Sequence, residues 1–133
     1  LDSYLSKLYP PESNHFTDLE TLLGSSAIFC VARKSIKPIG CGAAIIKHDG
    51  DHIYAEIKRM FVYQSHRGQG VGYRILDFLH KKIGENSITV SRLETGFSQR
   101  DAIRLYEAFG YYLIPPFGEY KLDPLSVFYE RKI

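Results

Sequence analysis

The chain has little of what would staple or anchor a small protein. Its 133 residues include only two cysteines, Cys30 and Cys41, and both fall in apolar stretches that read as strands. A thiol there serves as a small buried hydrophobe, which points to a reducing compartment and no disulfide framework. No apolar run approaches the ~20 residues needed to cross a bilayer, and no segment has the pattern of a signal peptide. The expectation is a cytoplasmic protein without membrane contact. The formal net charge is only +2, and the basic residues are scattered, so a nucleic-acid surface is not expected. The five histidines form no ligand set: His48 and His52 flank a turn, His66 precedes a glycine loop, and His15 and His80 stand apart as surface residues. No metal is expected.

What the chain does have is a core. Hydrophobic residues make up 44%, charged residues 24% and aromatics 14%, an ordinary globular balance. The length suits a single domain over residues 1–133, which can bury enough surface to stand unaided.

Leu1, Leu5 and Leu8 have helical spacing before Pro10-Pro11, and Thr17 with Glu20 forms a capping box for a helix closed by Gly24. Apolar runs at Ala27 to Ala32 and Gly40 to Lys47 predict paired strands, with Lys37-Pro38 as the turn. Asp49-Gly50 turns into a third strand, His52 to Val62. Simple alternation there places Ile53, Ala55, Ile57 and Phe61 on one side and Glu56, Lys58, Met60 and Val62 on the other. Val71, Ile75, Leu76, Phe78, Leu79 and Ile83 mark the buried stripe of a helix ending near Gly84. Ser87 to Thr95 reads as a strand, and Ser98 with Asp101 caps a helix presenting Ala102, Leu105, Tyr106 and Phe109. A closing strand pair, Tyr111 to Ile114 and Ser126 to Ile133, flanks a Pro-rich loop. The fold class is α+β.

The informative motif is Arg67-Gly68-Gln69-Gly70-Val71-Gly72, lying between a strand and a helix. Glycines let a backbone approach a ligand closely, and a helix N-terminus carries about half a positive charge, so such a unit suits a phosphate. The ATPase loop would need Lys and then Ser or Thr after its last glycine, where Tyr73-Arg74 stand. The dinucleotide fingerprint would need G-x-G-x-x-G on a parallel sheet.

Arg67, Gly70 and Gly72 match the signature of the GNAT superfamily of N-acetyltransferases, and the chain resembles small bacterial-type members from about Ala27 onward. The lead-in from Ala55 to Ser65-His66 is similar to the family's fourth strand, and Leu93-Glu94-Thr95-Gly96 to its fifth. Gln99, Ala102, Leu105, Tyr106, Phe109, Gly110 and Tyr111 resemble its later helix and the glycine-aromatic step after it. The resemblance implies a mixed, mostly antiparallel central sheet with helices on both faces. Members usually begin with a strand ahead of the first helix; here that strand is missing or trimmed.

By the same resemblance, an acetyl group passes from acetyl-CoA to a primary amine of a small molecule or peptide by direct attack. Arg67, Gly68, Gln69, Gly70, Val71, Gly72 and Gln99 would hold the cosubstrate, with the main chain of Phe61 and Val62 along its pantetheine arm. Tyr106 is the candidate proton donor to the departing thiolate, or else a core tyrosine. Glu56 is the candidate general base, directly or through water, or else a partner of Lys58 or Arg59; Glu94 is a weaker candidate with a structural alternative. Tyr111, Tyr112, Tyr120 and Tyr129 could line an acceptor pocket or a subunit contact, and the C-terminal strand could pair across a homodimer. The rival readings are a CoA or acyl-CoA binding module without turnover, and a nucleic-acid binder using Arg67, Arg74, Lys81 and Lys82.

Overall fold

The computed structural model describes residues 26–133. The two helices expected before Gly24 lie outside the described residues. The strands are β1 (Ala27–Lys34), β2 (Lys37–Asp49), β3 (His52–Val62), β4 (Val90–Gly96), β5 (Tyr112–Ile114) and β6 (Ser126–Lys132); the helices are α1 (Val71–Glu85) and α2 (Arg100–Ala108). They form one sheet in the order β1-β2-β3-β4-β6-β5. Every neighbouring pair is antiparallel except β3 and β4, which run parallel and pair only at Ala55↔Ser91 and Glu56↔Arg92. Beyond those two rungs the strands part, and the β3–β4 pairing does not continue past Glu56.

The three-strand meander follows the expected strands, with local corrections. The first turn is Ser35-Ile36, with Ser35 at φ 57°, whereas Lys37 and Pro38 already belong to β2. β4 begins at Val90 rather than Ser87, because Ser87 leaves α1 with φ 62°. The residue capping α2 is Gln99, not Ser98, and no side chain bonds the cap.

The larger correction lies in β3. Lys58 pairs with Ala43 and Phe61 with Cys41, so Gly42 faces both Arg59 and Met60 across a β-bulge. Arg59 sits at φ 58°, a conformation costing about 1 kcal/mol for a side-chain-bearing residue. The Cys41 thiol donates to the Arg59 carbonyl at 3.4 Å. The extra residue reverses the faces beyond it: Met60 and Val62 join Ala55 and Ile57 against α1, and Phe61 turns to the opposite side with Cys41 and Tyr63.

One core fills the face under both helices. Val71, Ile75, Leu76, Leu79 and Ile83 of α1 meet Ala44, Ala55 and Ile57 of the sheet and Tyr106 and Phe109 of α2. Phe78 is not in the buried stripe; it is 41% exposed, and His80 is buried instead. On the other face Tyr54, Phe117 and Phe128 form an aromatic cluster joined by Tyr120.

His80 is therefore a core residue rather than a surface one. Arg131 Nη1 can only donate, so the contact at 3.1 Å makes His80 Nδ1 an acceptor and puts the ring proton on Nε2. Nε2 then donates to the Tyr111 hydroxyl at 2.6 Å, which in turn lies 2.7 Å from Ser91 Oγ. Burial first, and the Arg131 charge second, lower the His80 pKa to about 4, against a smaller opposing pull from Asp77. The unfolded chain, with an ordinary pKa near 6.5, binds this proton first as pH falls. The contribution is thus full above about pH 6.5 and is lost towards pH 4, amounting to about 2 kcal/mol after screening around Arg131. Thermal melts should show Tm falling by several degrees across that window. His80→Gln, which keeps an acceptor and a donor but does not titrate, should flatten the slope; an unchanged slope would remove His80 as its source.

Candidate active site

After β3 the chain makes a 3-10 turn at Gln64–His66 and enters α1 through the glycine loop. Gly68 and Gly70 have φ of 77° and 80°, left-handed values that other residues adopt at a cost, and a Cβ on either would meet nothing within 4 Å. The loop is glycine-rich for its conformation, and the space above it is open. Gly72 differs: a Cβ there would lie 2.8 Å from Leu105 Cδ2, so the absence of a side chain lets α2 pack on the first turn of α1.

The His66 and Arg67 amides are spent on Tyr63 and Gln64 carbonyls, and the first helical bond runs from the Arg74 amide to Gly70. Amides from Gly68 to Tyr73 donate to no main-chain carbonyl among the described residues. With no acidic residue in its first turn, the end of α1 is an unneutralised positive pole. This fits a diphosphate. Arg67 folds back so that Nε donates to the Val62 carbonyl at 2.9 Å, with its guanidinium 5.9 Å from the Phe61 ring centre. The loop and the end of β3 are thereby tied together. Gln99 stands at the start of α2, its amide on the Gly96 carbonyl at 2.9 Å.

Glu56 lies where β3 and β4 part, and Tyr106, in the core under the helices, is within electrostatic reach of Glu94 on the separated part of β4. Tyr106 is 6% exposed, its ring edge-on to Tyr111 at 5.9 Å, and its hydroxyl makes no hydrogen bond among the described residues. Burial, then the charge of Glu94, raise its pKa. α2 is pinned to the sheet where the Tyr129 hydroxyl donates to Glu107 Oε2 at 2.9 Å. Glu56 sits at the last β3–β4 rung and is 1% exposed, with Lys47 Nζ 2.8 Å from Oε1 and Lys58 Nζ 3.8 Å from Oε2. Its expected partner Lys58 is present but the shorter ion pair is with Lys47. Glu94 accepts from Ser126 Oγ at 2.7 Å.

The acetyltransferase (GNAT) domain model matches residues 25–113. This chain belongs to the GNAT acetyltransferase family. An IAA acetyltransferase of Azospirillum brasilense is 43% identical over 133 residues, spanning the whole chain and 86% of that protein. YsnE of Bacillus subtilis strain 168, described as an uncharacterized N-acetyltransferase, is 34% identical over 131 residues, 97% of this chain and 85% of its own. A Klebsiella pneumoniae structure assigned as an acyl-CoA N-acyltransferase superposes with a TM-score of 0.75 at 32% identity, covering 98% of this chain and 83% of that one.

As a GNAT enzyme the protein is an acetyl-CoA-dependent N-acetyltransferase. Both described α-helices pack on one face of its sheet. Among the described residues no helix is long and apolar enough to cross a membrane, and no group of three or more His, Cys, Asp or Glu could hold a metal. Sequence reasoning named Tyr120 only among the tail tyrosines and did not connect it with Glu56, to whose Oε2 its hydroxyl donates at 2.5 Å. Tyr120 lies 64 positions away in a Pro-rich loop, and its only signal was the abundance of tyrosine in the tail.

Proposed function

We propose that the enzyme transfers acetyl from acetyl-CoA to a primary amine by direct attack, within one domain over residues 1–133. The observation that carries this reading is the opening between β3 and β4, with the bare N-terminus of α1 at one end and a buried tyrosine and carboxylate beside it. Arg67, Gly68, Gln69, Gly70, Val71 and Gly72 would bind the diphosphate, with Gln99 on the neighbouring rim. The main chain of β3 at Phe61 and Val62 would run along the pantetheine arm. A main-chain donor there, aimed at the thioester oxygen, would supply about 3 kcal/mol as negative charge develops.

Holding amine and thioester together supplies most of the remainder, up to about 7–11 kcal/mol in ideal geometry. Tyr106 hands a proton to the leaving sulfur, and Glu56 is the final acceptor of the amine proton. A panel of primary amines and short peptides, together with IAA because a relative carries that name, should reveal an acceptor that drives thiol release from acetyl-CoA. Tight CoA binding with no turnover on any acceptor would sink the reading and leave a binding module.

A further inference from the structure

Glu56 is too enclosed to touch an amine. Lys47 occupies one carboxylate oxygen, and Tyr120 with the more distant Lys58 occupies the other. Tyr120 leads outward from it: the residue is half-buried, its ring edge-on to Phe117 at 5.2 Å and tilted against Phe128 at 5.5 Å. Two phenols lie on opposite faces of the sheet, Tyr106 from α2 and Tyr120 from the loop before β6. Glu94, on the part of β4 that has separated from β3, is close enough to raise the pKa of both.

We propose that Tyr120 is the catalytic residue that receives the amine proton while passing its own hydroxyl proton to Glu56. This rests on the acetyl-transfer reading. The amine nitrogen's lone pair forms the N–C bond, and the C–S bond breaks with its electron pair leaving on sulfur. The nitrogen proton moves to Tyr120 Oη, the Tyr120 proton to Glu56 Oε2, and the Tyr106 proton to sulfur. Water then returns a proton to Tyr106 and removes one from Glu56.

Among proton-transfer roles, a relay is the one that suits this phenol. Burial, and then the hydrogen bond and charge of Glu56, hold it protonated at any working pH. It cannot wait as a phenolate base, but it can accept a proton as it gives one away. The other charged or titratable groups around the pair are Lys47 from β2, Tyr54 and Lys58 from β3, and Arg92 and Glu94 from β4. Arg92 is itself engaged, 2.9 Å from Glu130 Oε2 and 4.7 Å from the Tyr54 ring centre.

Tyr120→Phe keeps the ring contacts and removes the path. Thiol release with a working acceptor should fall about 100-fold, with KM for acetyl-CoA within about twofold, and the solvent deuterium effect on kcat should shrink. Glu56→Gln should lose a similar factor, and the double variant should lose no more than the worse single, because one path is cut twice. Full turnover in Tyr120→Phe, or losses that multiply, would overturn the relay while leaving acetyl transfer standing. If Glu56→Gln fails to fold, turnover and the isotope effect in Tyr120→Phe decide. A wild-type protein that binds CoA but acetylates nothing ends both readings.

Discussion

Gly70→Glu should weaken coenzyme A binding by about 100-fold or more while leaving the protein folded. The backbone there has φ 80°, so any side chain costs about 1 kcal/mol in strain. A Cβ meets nothing within 4 Å, so the carboxylate finds room at the mouth of α1. There it sits on the positive pole of a helix with no acid of its own in the first turn, recovering up to ~1 kcal/mol for the helix. The two effects nearly cancel for stability. For binding they do not, because the new anion occupies the place of the diphosphate and repels it. Losing two charge-assisted hydrogen bonds costs about 3 kcal/mol or more, which corresponds to roughly 100-fold in Kd. Gly70→Ala carries the same strain without the charge and should lose less than tenfold. Calorimetric titration with CoA separates the two, and an unaltered affinity in Gly70→Glu would show that the diphosphate lies elsewhere.

The loop was legible in the sequence because everything it needs is local. Gly68, Gly70 and the start of α1 lie within a few residues of one another, and left-handed φ selects glycine directly. The strands were legible for the same reason, since alternation and apolar runs are properties of short windows. The bulge at Arg59 was not, because arginine at φ 58° carries no signature in its residue type. Only the pairing of β2 with β3 shows that Gly42 faces two residues. One inserted position therefore reversed the faces of Met60, Phe61 and Val62. His80 was misplaced because a histidine in a helix reads as polar until Arg131, Tyr111 and Ser91, all distant in sequence, close around it. The Tyr120–Glu56 contact is of the same kind. It joins a loop to a strand across 64 positions, and no window on the chain contains both.

Tyr106→Phe should lower turnover by about 100-fold or more while Tm holds steady or rises. These two outcomes together separate a proton donor from a packing residue. The ring at this site is almost wholly buried and rests on Tyr111, contacts that phenylalanine keeps. The hydroxyl makes no hydrogen bond among the described residues, so its removal breaks none. If the tyrosine served the core alone, the variant would be as active as the parent and at least as stable. The proton-donor role predicts the opposite for activity, through the loss of a group worth about 10²–10⁴ in rate. Burial and the nearby Glu94 keep the phenol protonated. Its conjugate base would be costly there, whereas a free thiolate is matched to a pKa near 8.5. The proton must therefore cross as the C–S bond breaks and charge builds on sulfur. For the parent enzyme, saturating turnover should consequently not fall between pH 8 and about 10 through loss of this proton. Such a fall, if it persisted in Tyr106→Phe, would belong to another group; wild-type turnover in the variant would return Tyr106 to the core.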